Sequence, residues 1–132
     1  MANHERVYQR VTHEQLEKCL KWCQNILNLR DWEIDFHTGT PFRDERAAGW
    51  TMELGERQRF LMQAEIWVDL GYCKEKDDNP YVVVCHEALH VLIGGRCMID
   101  SDLDEYITYA LDDILYLRFC EDNKIKIMPR KE

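Results

Sequence analysis

The chain has 132 residues, of which 45% are hydrophobic and 32% are charged, a balance typical of one globular domain. Its formal net charge of −8 argues against nucleic acid and against anionic membranes as partners. The sequence has no apolar stretch approaching about 18 residues and no secretory signal at its N-terminus. We therefore expect a single cytoplasmic domain over residues 1–132, with an ordered core over about 12–121 and no membrane partner.

The first predicted helix covers residues 12 to about 29. Thr12 and Gln15 have the spacing of a capping box, and apolar residues follow at steps of three and four. Alternating apolar and polar residues then predict three half-buried strands, which are expected at 32–36, 48–54 and 60–70. Residues 71–79 are polar and are expected to form a connection.

A second predicted helix covers residues 80–93 and is apolar nearly all round, as expected of a buried central helix. Asn79 and the two aspartates before it can cap its N-terminus, and Pro80 suits the first helical position. Gly94-Gly95 is expected to end the helix in the left-handed conformation. The β-branched residues within 81–85 leave a strand as the alternative.

A last helix is expected from about residue 100 to Cys120, after an acidic start that suits a helix N-terminus. Its apolar residues define the side that we expect to be buried, namely Leu103, Ile107, Ala110, Leu111 and Ile114. The predicted fold class is α+β, with an N-terminal helix, a three-stranded antiparallel or mixed sheet, a central helix and a C-terminal helix.

The central helix carries His86-Glu87-Ala88-Leu89-His90, an H-E-x-x-H motif. Residues four apart lie on one helix face, so both imidazoles can reach one metal ion. Glu87 lies about 100° round the helix, where it can act on a water without being a ligand. Two neutral nitrogen ligands suit Zn²⁺, which acidifies a water for the carboxylate to deprotonate. The alternative is two hydrogen-bonded histidines in a core helix.

A catalytic zinc site needs a third protein ligand. The metzincin pattern fails here, because Ile93 and Arg96 occupy its glycine and histidine positions. Glu105, at the start of the last helix, is the expected ligand. Asp104 is the alternative, since only one of these neighbours is expected to face the histidines. His37, at the end of a strand, is a further alternative.

Other polar residues of the last helix can complete the site. Tyr106 and Tyr109 can donate a hydrogen bond to a developing oxyanion, although tyrosines on such helices are more often part of the core. Asp112 can orient a ligand imidazole, or it can simply be solvated.

Six cysteines lie in the chain, and none has the C-x-x-C spacing of zinc ribbons or thioredoxin-like proteins. We expect six reduced and mostly buried thiols that bind no zinc. Cys19 and Cys23 share one face of the first helix and can in principle bind a metal, but both also fit its apolar stripe.

A family resemblance rests on four motifs, which are Trp32-x-Ile-x-Phe, Ala48-Gly49-Trp50, Ala64-x-Ile-x-Val and Cys85-His86-Glu87-Ala88-Leu89-His90. Over roughly residues 30–120 the chain resembles the minimal zincin domain of small metallopeptidases of phage and prophage type and, more distantly, the SprT-like family. Only the H-E-x-x-H is specific. Asp104-Glu105-x-x-x-Tyr109 is similar to the gluzincin Glu-x-x-x-Asp, but Tyr109 replaces its aspartate, and the third histidine of SprT-like proteins has no counterpart after His90.

The resemblance implies that residues 61–69 form the edge strand along which a peptide substrate lies. Together the motif and the resemblance predict a zinc metallopeptidase. His86, His90 and Glu105 would hold Zn²⁺, Glu87 would activate the water, and Tyr109 would assist. The substrate would be a peptide or protein, and the oligomeric state is left open. The alternative is a non-catalytic binding or regulatory module that zinc stabilises, since so short a chain has little material for gripping a substrate.

Overall fold

The computed structural model describes residues 10–127 and has an α+β fold, as predicted. Within these residues the elements in chain order are α1 (His13–Ile26), β1 (Glu33–Thr38), β2 (Gly49–Thr51), α2 (Glu56–Leu61), β3 (Gln63–Val68), α3 (Leu70–Lys76), α4 (Pro80–His90), a π-helical segment (Val91–Arg96) and α5 (Ser101–Asn123). None of the helices in this range combines the length and the apolar character needed to cross a bilayer.

The sheet has the order β1-β3-β2, with β1 parallel and β2 antiparallel to β3. This mixed sheet agrees with the predicted fold class. The prediction that residues 61–69 form an edge strand is wrong, because β3 is central and pairs on both sides. Alternation of apolar residues reports that one face is buried, but it does not tell a central strand from an edge strand.

The N-terminus of α1 confirms the predicted capping box. Thr12 Oγ1 accepts a hydrogen bond from the backbone N–H of Gln15 (3.3 Å), and the Gln15 side chain accepts from the Thr12 N–H (2.9 Å). Four residues of the predicted stripe are buried, namely Leu16, Cys19, Leu20 and Cys23. The helix ends at Ile26, somewhat before the predicted position.

Two short helices flank β3 where the sequence predicted a longer strand and a connection. Gly55 precedes α2, and its N–H donates to the Gln58 side chain (3.0 Å). Asp69 caps α3 by accepting from the Tyr72 N–H (2.9 Å). Each helix is only six or seven residues long, too short to develop a clear periodicity in the sequence.

The central helix α4 confirms the helical alternative for residues 81–85. Asn79 is its N-cap and accepts from the Tyr81 N–H (3.0 Å), and Pro80 occupies the first turn. The helix packs against α1, α5, β2 and β3, which explains why it is apolar nearly all round.

The predicted glycine cap of α4 is wrong. The chain continues through the π-helical segment, in which the Cys97 N–H donates to the Leu92 carbonyl (2.8 Å), and neither Gly94 nor Gly95 has a positive φ. These glycines instead permit close packing: a Cβ on Gly94 would lie 2.6 Å from Asp104 Oδ2, and one on Gly95 would lie 3.0 Å from the Trp32 ring.

The predicted buried side of α5 is also wrong. Leu103, Leu111 and Ile114 are exposed, whereas the buried residues are Asp104, Thr108, Asp112, Tyr116, Phe119 and Cys120. The helix thus turns a row of polar residues toward α4 and its aliphatic residues outward. Hydrophobicity alone could not reveal this, because the polar row faces side chains that satisfy its hydrogen bonds.

Candidate metal centre

The two histidines of the motif lie on the last turns of α4 with their Nε2 atoms 3.2 Å apart. Glu105, in the first turns of α5, points its Oε1 at both of them, 3.3 Å from His86 Nε2 and 3.5 Å from His90 Nε2. The structure therefore brings together the three residues that the sequence nominated as metal ligands.

A carboxylate holds the other nitrogen of each ring. His86 Nδ1 lies 3.0 Å from Asp112 Oδ2, and His90 Nδ1 lies 2.9 Å from Asp104 Oδ1. Because a carboxylate can only accept, each Nδ1 carries the hydrogen. The Nε2 atom of each neutral ring is then an acceptor that points into the site.

With this tautomer, the three converging atoms are all hydrogen-bond acceptors. His86 Nε2, His90 Nε2 and Glu105 Oε1 are all acceptors and lie within 3.5 Å of one another. Acceptor atoms this close repel one another unless a cation lies between them. That cation must be a proton or a metal ion. Two imidazole nitrogens and one carboxylate oxygen form a ligand set that Zn²⁺ prefers at catalytic sites, so the residues present fit this metal.

Asp104 is a site residue whose role sequence reasoning missed. The expectation that only one of Asp104 and Glu105 faces the histidines is wrong, because both do, at opposite nitrogens of the His90 ring. Asp104 is buried and also accepts from Thr108 Oγ1 (2.9 Å). The sequence feature that could have identified this role is the row of polar residues Asp104, Thr108 and Asp112, which are four residues apart and therefore lie on one face of α5.

Charge around His86 alters its protonation. Burial lowers the pKa of His86, but the hydrogen bond with Asp112 and the negative charges of Glu87 and Glu105 outweigh it, so the pKa is raised overall. A proton therefore competes with a metal ion for His86 Nε2 more strongly than it does for the ring nitrogen of an ordinary histidine.

Glu87 lies beside the cluster and is not one of the three converging side chains. Its side chain is 5% exposed, and its Oε1 accepts from Thr51 Oγ1 at 2.7 Å. Burial raises the pKa of the Glu87 carboxyl, against the lowering effects of the Thr51 hydrogen bond and the two histidines. A raised pKa makes this carboxylate a better proton acceptor than an exposed glutamate. No sequence signal identified Thr51.

Gly49 of β2 gives Glu87 and its helix room to approach the strand. A Cβ at this position would lie 2.5 Å from Val83 Cγ1 and 3.0 Å from Glu87 Oε2. We expect Gly49→Ala to lower the free energy of unfolding by about 1–3 kcal/mol, the usual cost of overpacking. Denaturant unfolding would measure it.

Gly71→Ala is the matched control, because its Cβ would make only ordinary contacts, the nearest at 3.4 Å from Asp69 Oδ1. That variant should unfold at the wild-type denaturant concentration or slightly above it. An equal loss of stability in both variants would contradict the close approach of β2 and α4.

The remaining predicted residues divide into two groups. Tyr109 contacts the site, with its ring 4.7 Å from the His86 ring between centroids, and burial with nearby carboxylates raises the pKa of its hydroxyl. Tyr106 is 77% exposed on the outer side of α5. His37 stacks on Trp67 (4.3 Å between centroids), and it is not a member of the ligand cluster. The structure thus brings Tyr109, but neither Tyr106 nor His37, to the candidate centre.

The site opens into a cleft of about 860 Å³. Residues 47–54 form one wall, the start of α5 forms the other, and the face of α4 that bears the motif lies between them. Trp50, Met52, Leu54 and Met98 supply apolar lining around the polar centre. The cleft is therefore large enough for several residues of an extended peptide.

A second group of possible ligands lies in the core, where Cys19, Cys23 and Cys85 are buried with their sulfurs within 4.8 Å of one another. Burial raises the pKa of the Cys19 thiol well above its ordinary value, which keeps it protonated and apolar at neutral pH. All six cysteines are free thiols in the structure.

Comparisons with protein-family models, curated proteins and solved structures found no match to this chain. The function must therefore be inferred from the chemistry of the site.

Proposed function

We propose that the protein is a zinc metallopeptidase of the zincin type. The observation that carries this proposal is the convergence of His86 Nε2, His90 Nε2 and Glu105 Oε1, with both Nδ1 atoms held by buried carboxylates. A site with three protein ligands that opens into a cleft is typical of catalytic zinc, whereas structural zinc is usually enclosed by four protein ligands.

Zinc bound there would polarise a substrate carbonyl and lower the pKa of a water molecule. Glu87 would accept the proton of the attacking water and pass it to the leaving amine. Thr51 would keep the Glu87 carboxylate oriented through its 2.7 Å hydrogen bond. Tyr109, which retains its proton because its pKa is raised, would donate a hydrogen bond to the developing oxyanion.

The substrate class follows from the shape of the cleft. β2 pairs with β3 on one side only, and residues 47–54 line the cleft. An extended peptide could pair with the open side of β2 and place an amide bond over the histidines. We therefore place the substrate strand at β2, in contrast to the edge position that the family resemblance implied for residues 61–69.

One observation favours a second candidate, a non-catalytic module that zinc stabilises. Glu87 is almost entirely buried and is already hydrogen-bonded to Thr51, as expected of a structural carboxylate. Incubating the zinc-loaded protein with a peptide library would distinguish the metallopeptidase from the non-catalytic module. Cleavage that a chelator stops and added zinc restores supports the peptidase, and zinc binding without cleavage supports the module.

The first expected result for the proposed function concerns metal content. The purified protein should bind about one zinc ion per chain, and His86→Ala or His90→Ala should abolish this binding, because each variant removes one of three ligands. Elemental analysis after zinc loading and desalting would measure it. Affinity should fall as the pH decreases through the raised pKa of His86, because protons then occupy Nε2.

His37→Ala is the control, since His37 lies outside the ligand cluster and should leave zinc content unchanged. If the wild-type protein retains no stoichiometric zinc, the cation between the histidines is a proton, and the metallopeptidase proposal is wrong.

A further inference from the structure

The three cysteines that meet in the core, hereafter the thiol cluster, are supplied by two helices. Cys19 and Cys23 lie one turn apart on α1, and Cys85 lies on α4, directly before His86. Their sulfurs lie within 4.8 Å of one another, and Cys23 Sγ is 3.9 Å from Cys85 Sγ. An atom placed among the three sulfurs would lie at most about 2.8 Å from each, against about 2.3 Å for a zinc–thiolate bond. The thiol cluster therefore needs only a small contraction to bind one thiophilic atom.

The surroundings of the thiol cluster decide which charge an occupant can carry. All three side chains are fully buried in the hydrophobic core, in which Val84 is also fully buried. Cys19 and Cys23 interact with each other and with Cys85, and the charge that acts on Cys85 is the negative one of Asp112. A net charge loses its hydration in such a place, which is costly. We therefore expect an occupant that leaves the thiol cluster neutral.

Charge and coordination number distinguish the thiophilic ions. Three thiolates leave one uncompensated negative charge with Zn²⁺ and two with Cu⁺. Structural Zn²⁺ also needs a fourth ligand, which no His, Cys, Asp or Glu within residues 10–127 adds to the thiol cluster. Trivalent arsenic takes three sulfur ligands, and its three positive charges balance three thiolates. It therefore matches both the number of donors and the apolar surroundings.

We propose that the thiol cluster is a binding site for trivalent arsenic. Arsenite reacts as the neutral acid As(OH)₃: three As–O bonds break, three As–S bonds form, and the three thiol hydrogens leave with the hydroxyl groups as three water molecules. Arsenic and sulfur keep their oxidation states, so the reaction needs no oxidant or reductant. The bound atom joins α1 covalently to α4. This inference does not depend on the proposed function, because it uses none of the residues of the candidate metal centre.

Arsenite must reach sulfurs that the folded protein closes off from solvent. α1 packs against α4 with Cys19 and Cys23 on its buried face, so a transient separation of these two helices exposes all three sulfurs together. Entry should therefore be slow in the folded protein and fast during refolding. Binding should also favour the folded state, because folding holds the three sulfurs close together.

Refolding the full-length protein in the presence of arsenite tests the site. Cys97 is exposed and is first replaced by serine, and a phosphine keeps the other thiols reduced. The refolded, desalted protein should have gained the mass of one arsenic atom less three hydrogens. X-ray absorption at the arsenic edge should show three sulfur neighbours and no oxygen, and the midpoint of denaturant unfolding should rise with arsenite concentration. Oxygen neighbours on the arsenic, or a midpoint that does not rise, would overturn the proposal.

Substitutions within the same background identify the sulfurs. Cys19→Ala, Cys23→Ala and Cys85→Ala should each lower the affinity for arsenite by at least about tenfold, because the third As–S bond forms at a high effective concentration. Cys73→Ala is the matched control, since Cys73 is also buried but lies outside the thiol cluster, and it should bind as the parent does. Circular dichroism would verify the fold, and valine would replace any cluster cysteine whose alanine variant does not fold. Undiminished binding by the cluster variants, or an equal loss in Cys73→Ala, would contradict the assignment.

Discussion

In the proposed zinc metallopeptidase, Glu87→Gln is expected to abolish peptide hydrolysis while the protein keeps its zinc and its fold. A general base typically contributes about 10²- to 10⁴-fold to the rate, so the loss should be at least about 100-fold. Glutamine has nearly the same shape, and its carbonyl oxygen can still accept the hydrogen bond from Thr51. Because Glu87 lies outside the three converging ligands, its amide should leave the metal in place.

The same substitution should not destabilise the metal-free protein. Burial raises the pKa of Glu87 above its ordinary value, so the folded state holds that proton more tightly than the unfolded chain. Stability therefore falls as the pH increases through the range between the ordinary and the raised pKa, since the buried carboxyl must then ionise. Glutamine has no such ionisation. Thermal unfolding of the metal-free Glu87→Gln variant at neutral pH should occur at or above the wild-type temperature.

Glu53→Gln is the matched control, because Glu53 also lines the cleft but is exposed. It should retain activity in the same assay of a peptide identified from the library. Cleavage by Glu87→Gln at the wild-type rate would show that the activity comes from another group or from a contaminant. Loss of zinc from Glu87→Gln would show instead that Glu87 is a ligand.

The helix that carries the motif could be predicted because its signals are local. Asn79 and Pro80 define its start, and histidines four residues apart need a helix to converge. The two candidate ligands and the adjacent carboxylate can therefore be predicted from a short stretch of chain. Glu105 could be nominated because it is the only glutamate between the motif and Glu121.

The parts that could not be predicted depend on packing between distant elements. Asp104 and Thr51 reach His90 and Glu87 only because α5 and β2 lie against α4, and no local pattern encodes that contact. The π-helical segment could not be predicted for the same reason, because Gly94 is needed for the close approach of Asp104 and not for a left-handed turn. Hydrophobicity predicts the wrong buried face of α5, because this helix has a polar inner row and an apolar outer one.

Glu105→Ala is expected to weaken zinc binding by more than about 100-fold, because it removes the only carboxylate oxygen that converges with both Nε2 atoms within residues 10–127. Asp104→Ala should have an intermediate effect of about 10- to 100-fold, the usual cost of losing a group that orients a ligand histidine. The effect is expected because Asp104 Oδ1 lies 2.9 Å from His90 Nδ1 and fixes the orientation of that ring.

Competition titrations against a zinc chelator of known affinity would rank these variants, with Asp102→Ala as a control that removes an exposed carboxylate from the same turns of α5. The expected order of affinity loss is Glu105→Ala, then Asp104→Ala, then Asp102→Ala with little change. The reverse order for the first two would make Asp104 the ligand and Glu105 an accessory. Equal small losses in all three would mean that the two histidines hold the metal without a carboxylate from α5. The ranking separates these cases because Glu105 contacts the histidines at Nε2, where a metal must bind, whereas Asp104 contacts His90 at Nδ1, where it fixes the tautomer.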